Sequence, residues 1–159
     1  MKIVTKKLHS LEQLLSDMKS VVVAYSGGVD SSFLAAVSHQ RLGRRSLAVT
    51  ANSPSLAPWE LEEATALATH LGFNHRIIET RENEDPGYAA NGARRCYFCK
   101  THLYSHFHNI ATKEGYSYVV DGSTTDDLKE FRPGGEAARE WAVKSPLVDV
   151  GLNKKEIRE

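Results

Sequence analysis

Cysteine is nearly absent from this sequence: only Cys96 and Cys99 occur, close together. A secreted fold stapled by disulfides needs several well-spaced pairs, so that class is excluded and a reducing, cytoplasmic setting is expected. Long apolar runs are also missing. None approaches the roughly 20 residues that cross a bilayer, so no membrane partner is expected. The start, MKIVTKKLHSLEQLL, is basic but has no uninterrupted apolar core and no small-residue cleavage site, which argues against secretion. Neither sign of charge is in excess, since 20 Lys+Arg offset 20 Asp+Glu. With no net pull toward polyanions, nucleic acid is not an expected partner, and any bound anion must be held by local geometry.

What is present suits one soluble α/β domain. The chain has 159 residues, 41% of them hydrophobic and 25% charged, enough for one core but not comfortably for two. Leu8 to Met18 carries leucines at helical spacing. Val21 to Tyr25 is a short, continuously apolar, β-branched run, as a strand buried on both faces should be. Helix over Asp30 to Leu42, strand over Ser46 to Ala51, helix over Pro58 to Leu71 and strand over Asn74 to Glu79 follow. Pro58 opens its helix and Gly72 closes it. A long irregular stretch, TRENEDPGYAANGARR, precedes a helix over Cys96 to Gly115 and a strand over Tyr116 to Asp121. A further helix is expected near Gly135 to Ala142. At the end, Asn153 with Glu156 three residues on is a helix-capping pattern. This alternation predicts an α/β fold with a parallel sheet sandwiched by helices, whose ligands bind beyond the carboxyl ends of the strands.

The first strand runs into SGGVDSS, Ser26 to Ser32. A plain turn needs one glycine and a cap, and the surplus is chemically informative. Gly27 and Gly28 let backbone amides approach a ligand closely, and the following helix start adds partial positive charge. Ser26, Ser31 and Ser32 offer hydroxyls to phosphate oxygens, with Ala24 at the strand end below them. Asp30 fits poorly against a bare phosphate, which brings in Mg²⁺ between them. The competing reading is a tight turn in which Ser26 or Asp30 merely caps the helix. No GxxxxGK[ST] and no GxGxxG is present.

Two other strings hold candidate chemistry. In DGSTTDDLKEFRPGGEAARE, Gly122 and Ser123 follow a strand end, Asp126 and Asp127 can hold a ribose or Mg²⁺, and Arg132 can clamp a phosphate. In RRCYFCKTHLYSHF, Cys96 and Cys99 lie near His102 and His106. One straight helix cannot wrap four ligands around zinc, and no second cluster exists elsewhere. A redox pair or simple packing remains open for these cysteines.

SGGVDSS resembles the signature of the PP-loop ATP pyrophosphatases, and with it an adenine nucleotide alpha hydrolase-like, Rossmann-like fold is implied. That resemblance implies ATP and Mg²⁺ as cofactors, with Thr50, Ala51 and Ser53 beside the base or ribose. It assigns catalysis to Asp30, Ser31 and Arg132, and metal binding to Asp30 and Asp127. Taken with RCYFCK, DGSTTDD…RPG…AARE and SPL…GLNKKEIRE, the chain is similar to the LarE-type sacrificial sulfur transferases. The departure at Ser123-Thr124-Thr125, where the family usually has Asn-Ala, touches the nucleotide or substrate contact. The resemblance implies adenylation of a carboxylate on a pyridinium mononucleotide, then sulfur transfer on the route to a nickel-pincer cofactor, by copies able to form homo-oligomers. It places the sulfur-donating cysteine beyond Glu159. The expected organisation is therefore a PP-loop ATP-binding domain over 1–150 and the start of a truncated region over 151–159. Such a chain would adenylate without completing sulfur transfer. Alternatives are an amide-forming or tRNA-thiolating PP-loop enzyme, or a nucleotide-binding module without turnover.

Overall fold

The structure, a computed structural model, describes the backbone of residues 2–52, 57–80, 95–126 and 143–158, and the side chains of 5–52, 57–80, 103–126 and 143–157. Element order is α1 (Lys2–Met18), β1 (Val21–Ala24), α2 (Val29–Leu42), a 3₁₀ turn (Gly43–Arg45), β2 (Ser46–Asn52), α3 (Pro58–Leu71) and β3 (His75–Glu79). There follow α4 (Arg95–Glu114), β4 (Tyr118–Val120), α5 (Pro146–Asp149) and α6 (Lys154–Arg158).

All four strands are parallel, in the order β3-β2-β1-β4. Val21 lies opposite both Ser46 and Tyr118, which fixes β1 at the centre. Walking from β1 to β2 to β3 moves the chain one way across the sheet, and β4 then returns to the far side of β1. The order reverses between β1 and β4, so the crevice at their carboxyl ends is where such a fold binds its ligand.

The side-chain period of two explains how β1 builds two cores. Val21, Val23 and Tyr25 face a cluster with Leu11 and Leu15 of α1, Leu34 and Ala35 of α2, Ala64 and Ala68 of α3, and Leu147, Leu152 and Ile157 of the C-terminal segment. Val22 faces the other way, onto Leu47, Val49, Val119 and, from α4, Tyr104, Phe107 and Ala111. Because both faces are covered, β1 reads as unbroken valine rather than as an alternation. Each such side chain stabilises the fold by about 1.5–3 kcal/mol relative to exposure.

The expected α/β sandwich is thus the observed one, with local differences. The first helix starts at Lys2, well ahead of Leu8. Lys7 is fastened to the C-terminal segment through Gly151 and Glu156, a distant anchor that helical periodicity does not register. Pro146–Asp149 adds one turn of helix ahead of the capping pattern. The strand expected from Tyr116 begins at Tyr118, because the Tyr116 amide is taken by Ala111 O as α4 closes. Asn153 and Glu156 exchange the predicted capping bonds, Glu156 N to Asn153 Oδ1 at 2.8 Å and Asn153 N to Glu156 Oε1 at 3.2 Å. The helix expected near 135–142 lies outside the described residues, as does nearly all of the irregular stretch before α4. Among the described residues, no helix is long and apolar enough to cross a membrane.

Candidate functional site

β1 continues its ladder one residue past Ala24, where Tyr25 N donates to Val49 O at 3.0 Å, and then the chain turns. Gly27 makes the turn with φ +91, and a Cβ there would meet Ala64 Cβ at 3.0 Å, so both conformation and space require glycine. Gly28 is the N-cap of α2, in an extended conformation, and no side chain caps the helix. Sequence left open whether Ser26 or Asp30 does so, and neither does. The start of α2 is therefore uncapped by any side chain at the sheet's reversal point, with the helix dipole behind it.

The loop is held in shape by its own serines. Ser31 Oγ accepts from Ser26 N at 3.2 Å and lies 3.1 Å from Ser26 Oγ. Ser31 Oγ also donates to Gly28 O, and Gly28 N donates to Ser26 Oγ, both at 3.4 Å. If Ser31 gives its one proton to Gly28 O, Ser26 must donate to Ser31, and the ring closes. These are long bonds, which an incoming phosphate oxygen can replace at little cost. Ser32 Oγ is buried and lacks a hydrogen-bond partner of good geometry among the described residues. Such an orphan costs stability unless a ligand or water completes it.

The second wall comes from β4. A Cβ on Gly122 would lie 2.9 Å from Ser31 N and 3.0 Å from Ser31 Cα, so glycine alone allows this backbone to rest on the start of α2. Asp121, buried, organises the approach. Its Oδ1 accepts from Ser123 N at 3.2 Å and from Ser145 Oγ at 2.8 Å, and Tyr104 OH donates to its Oδ2 at 3.4 Å. The C-terminal segment pairs alongside, with Asp121 N on Lys144 O and Lys144 N on Val119 O, both at 2.9 Å. It then carries Lys154 to the loop, where Nζ lies 3.1 Å from Asp30 Oδ2. The Lys154 amide donates to Asp126 Oδ2 at 2.7 Å.

Beneath the loop, Thr50 Oγ1 donates to Tyr25 O at 2.9 Å and lies 2.7 Å from His75 Nε2. The threonine proton is spent on Tyr25 O, so Nε2 carries the imidazole proton and donates to Oγ1. Burial holds His75 below its ordinary value of 6.5 and keeps the ring neutral. Tyr25 is pushed up by burial, with the neighbouring Ser32 hydroxyl pulling the other way, and its phenol donates to Ala64 O at 2.8 Å. Its ring meets Phe73 and His75 edge-on at 5.1 and 5.2 Å. Strand ends, loop and α3 are tied together below the crevice.

The sequence candidates therefore divide. Ala24, Ser26, Gly27, Gly28, Asp30, Ser31, Ser32, Gly122 and Ser123 converge on one corner. Asp126 joins it through Lys154, while the Thr50 hydroxyl is turned into the sheet edge. Ser53, Asp127 and Arg132 lie outside the described residues, and of Cys96 and Cys99 only the backbone is described, in the first turns of α4. Among the described residues, no three His, Cys, Asp or Glu side chains group to hold a metal. Asp30 is the carboxylate the loop itself carries. A single carboxylate completed by phosphate oxygens is nevertheless a donor set that Mg²⁺ accepts. Sequence reasoning missed Lys154 and His75. Lys154 had a signal: a cation at a helix start opposes the dipole and needs a partner to explain it.

A protein-family model described as NAD synthase matches residues 3–86. An uncharacterized protein of Synechocystis sp. is 44% identical over 153 residues, covering 96% of this chain and 57% of that one. The pyridinium-3,5-bisthiocarboxylic acid mononucleotide synthase of Lactiplantibacillus plantarum is 33% identical over 155 residues, covering 97% of this chain and 56% of that one. Among solved structures, the NH₃-dependent NAD synthetase of Campylobacter jejuni, in complex with a nitrate ion, superimposes with a TM-score of 0.72 at 20% identity. It is matched over 98% of this chain and 69% of its own. The chain thus spans under two thirds of the length of these curated relatives.

Proposed function

The chain belongs to the NAD synthase family of PP-loop proteins, and we propose that it cleaves ATP between the α and β phosphates to adenylate a substrate carboxylate. The observation that carries this reading is the start of α2, uncapped by any side chain at the point where the strand order reverses. In this proposal the loop amides and Lys154 hold the β and γ phosphates. A carboxylate oxygen attacks the α phosphorus, the bond from that phosphorus to the bridging oxygen breaks, and pyrophosphate leaves with the bond's electron pair. An acyl-adenylate remains. Fixed donors favour this because charge builds on the leaving group where they already point. Mg²⁺ held by Asp30 would neutralise charge on the phosphates. Asp126, Asp127 and Arg132 are proposed for ribose, metal and phosphate contacts respectively, with Thr50 and Ser53 near the base.

The name of the Lactiplantibacillus relative suggests a pyridinium mononucleotide as the carboxylate. Adenylation of that group prepares a carbonyl for sulfur transfer, as in the LarE-type reading. We assign no donor role to Cys96 or Cys99. The test is pyrophosphate release from ATP and Mg²⁺ with a panel of carboxylates, pyridine carboxylate mononucleotides included. Release that depends on one of them supports the proposal. Nucleotide binding with no release from any would leave a binding module and overturn it.

A further inference from the structure

Lys154 must be delivered to Asp30 by a helix of only five residues, Lys154–Arg158. So short a helix is not stable alone, and it carries its lysine at the end where the dipole disfavours a cation. Leu152 and Ile157 bury their side chains and fix how deeply the segment sits. Apolar contact is non-directional, however, and leaves its rotation unset.

Directional contacts come from two sides: Thr125 N donates to Leu152 O at 3.0 Å and the Lys154 amide to Asp126 Oδ2 at 2.7 Å, which hold the backbone, and α1 supplies the rest. Lys7 Nζ lies 2.8 Å from Gly151 O, and 3.0 and 2.9 Å from the two Glu156 carboxylate oxygens. The three hydrogens of the ammonium thus have three acceptors, all on the segment that bears Lys154. Glu156 is mostly buried, with 14% of its side chain exposed, and the same carboxylate caps the Asn153 amide. Lys7 also holds the Glu156 carboxyl below its ordinary range. Lys154 sits between the two capping residues, so orienting Glu156 orients the first turn.

We propose that Lys7, on α1, is a positioning residue that sets Lys154 against Asp30 by clamping Gly151 and Glu156. Its effect on nucleotide chemistry rests on the function proposed above, but the placement itself does not. Two measurements separate them. The first is the rate of reductive methylation at Lys154, read by peptide mass spectrometry with Lys19 as internal reference. In Lys7→Gln it should rise by about five-fold, the scale of losing one ion-pair network, and Lys7→Arg should restore most of the protection. Should Lys7→Gln not fold, Glu156→Gln serves instead, because glutamine keeps the cap while losing the charge. An unchanged Lys154 rate in a folded variant overturns the proposal.

The second measurement is calorimetric affinity for ATP with Mg²⁺. Lys7→Gln should weaken it by about five-fold in the native background and leave it unchanged once Lys154 is glutamine. Equal losses in both backgrounds would mean that Lys7 does not act through Lys154, and would overturn the claim. If the native chain binds no ATP, the nucleotide reading fails, and the methylation rates alone decide the placement of Lys154.

Discussion

Two corners meet at the carboxyl edge of the sheet, and they are built by different means. The corner after β1 is local: Gly27 turns the chain, Ser26 and Ser31 lace it together within six residues, and α2 starts at once. The corner after β4 is assembled from afar. Gly122 leans on Ser31, Asp121 gathers Tyr104 and Ser145, and Lys154 arrives from a segment that is itself fastened to α1. The first supplies donors and the Asp30 carboxylate, and the second supplies the cation that pairs with that carboxylate. A loop of backbone amides is cheap to encode in a short string. A charge poised opposite it needs the whole domain to hold it there.

The largest expected effect comes from cutting the link between the corners on the loop side. Asp30→Asn should lower pyrophosphate release by about a hundred-fold or more while leaving the thermal midpoint near that of the native chain. Full activity in this variant would remove Asp30 from the proposed chemistry.

A pair of glycine variants compares the corners directly. Gly122→Ala forces a Cβ to within 2.9 Å of the Ser31 amide nitrogen, and should cost about 1–3 kcal/mol in urea unfolding. Among the described residues, Gly28→Ala meets nothing nearer than Ser26 Oγ at 3.5 Å, with φ at −73, so its unfolding midpoint should barely move. Equal destabilisation would show that the second corner is not the more tightly packed one.

Smaller again is the contribution of His75, which supports the loop corner from below. Burial lowers its folded-state value below 6.5, so the unfolded chain binds the proton first as the pH drops. This group's contribution is full above 6.5 and declines as the pH falls from there toward the lower folded value. His75→Gln should flatten the slope of stability as the pH falls below 6.5 toward the lower folded-state value. A slope identical to that of the native chain would exclude the histidine as its source.

Least of all is expected from Arg76 and Glu114, which pair bidentately between β3 and the end of α4. Their side chains are 41% and 39% exposed. Exposed pairs contribute little net stability, so Arg76→Gln should leave the unfolding midpoint within experimental scatter at moderate salt.

The same contrast governs what could be read in advance. Strands β1 and β2, helices α2 and α3, and the capping pair Asn153–Glu156 were legible because each is written in a run of neighbours: a β-branched stretch, a helical period, a Pro at a start, an acceptor three residues from its donor. Ser26 to Ser32 was legible for the same reason. Lys154, His75 and the longer α1 were not, since the partners that explain them lie on other elements. Lys154 answers to Asp30, His75 to Thr50 and Tyr25, and Lys7 to Glu156.

By itself, then, the sequence determined the strand-turn-helix with its uncapped helix start, because backbone conformation there depends on glycine sterics and hydrogen bonds spanning a few residues. Only the tertiary structure decided which cation pairs with Asp30 at that turn and how closely the chain after β4 approaches α2. Coulombic and packing contacts are set by distance in space, and strand order, not chain position, brings Gly122 and Lys154 within reach of α2.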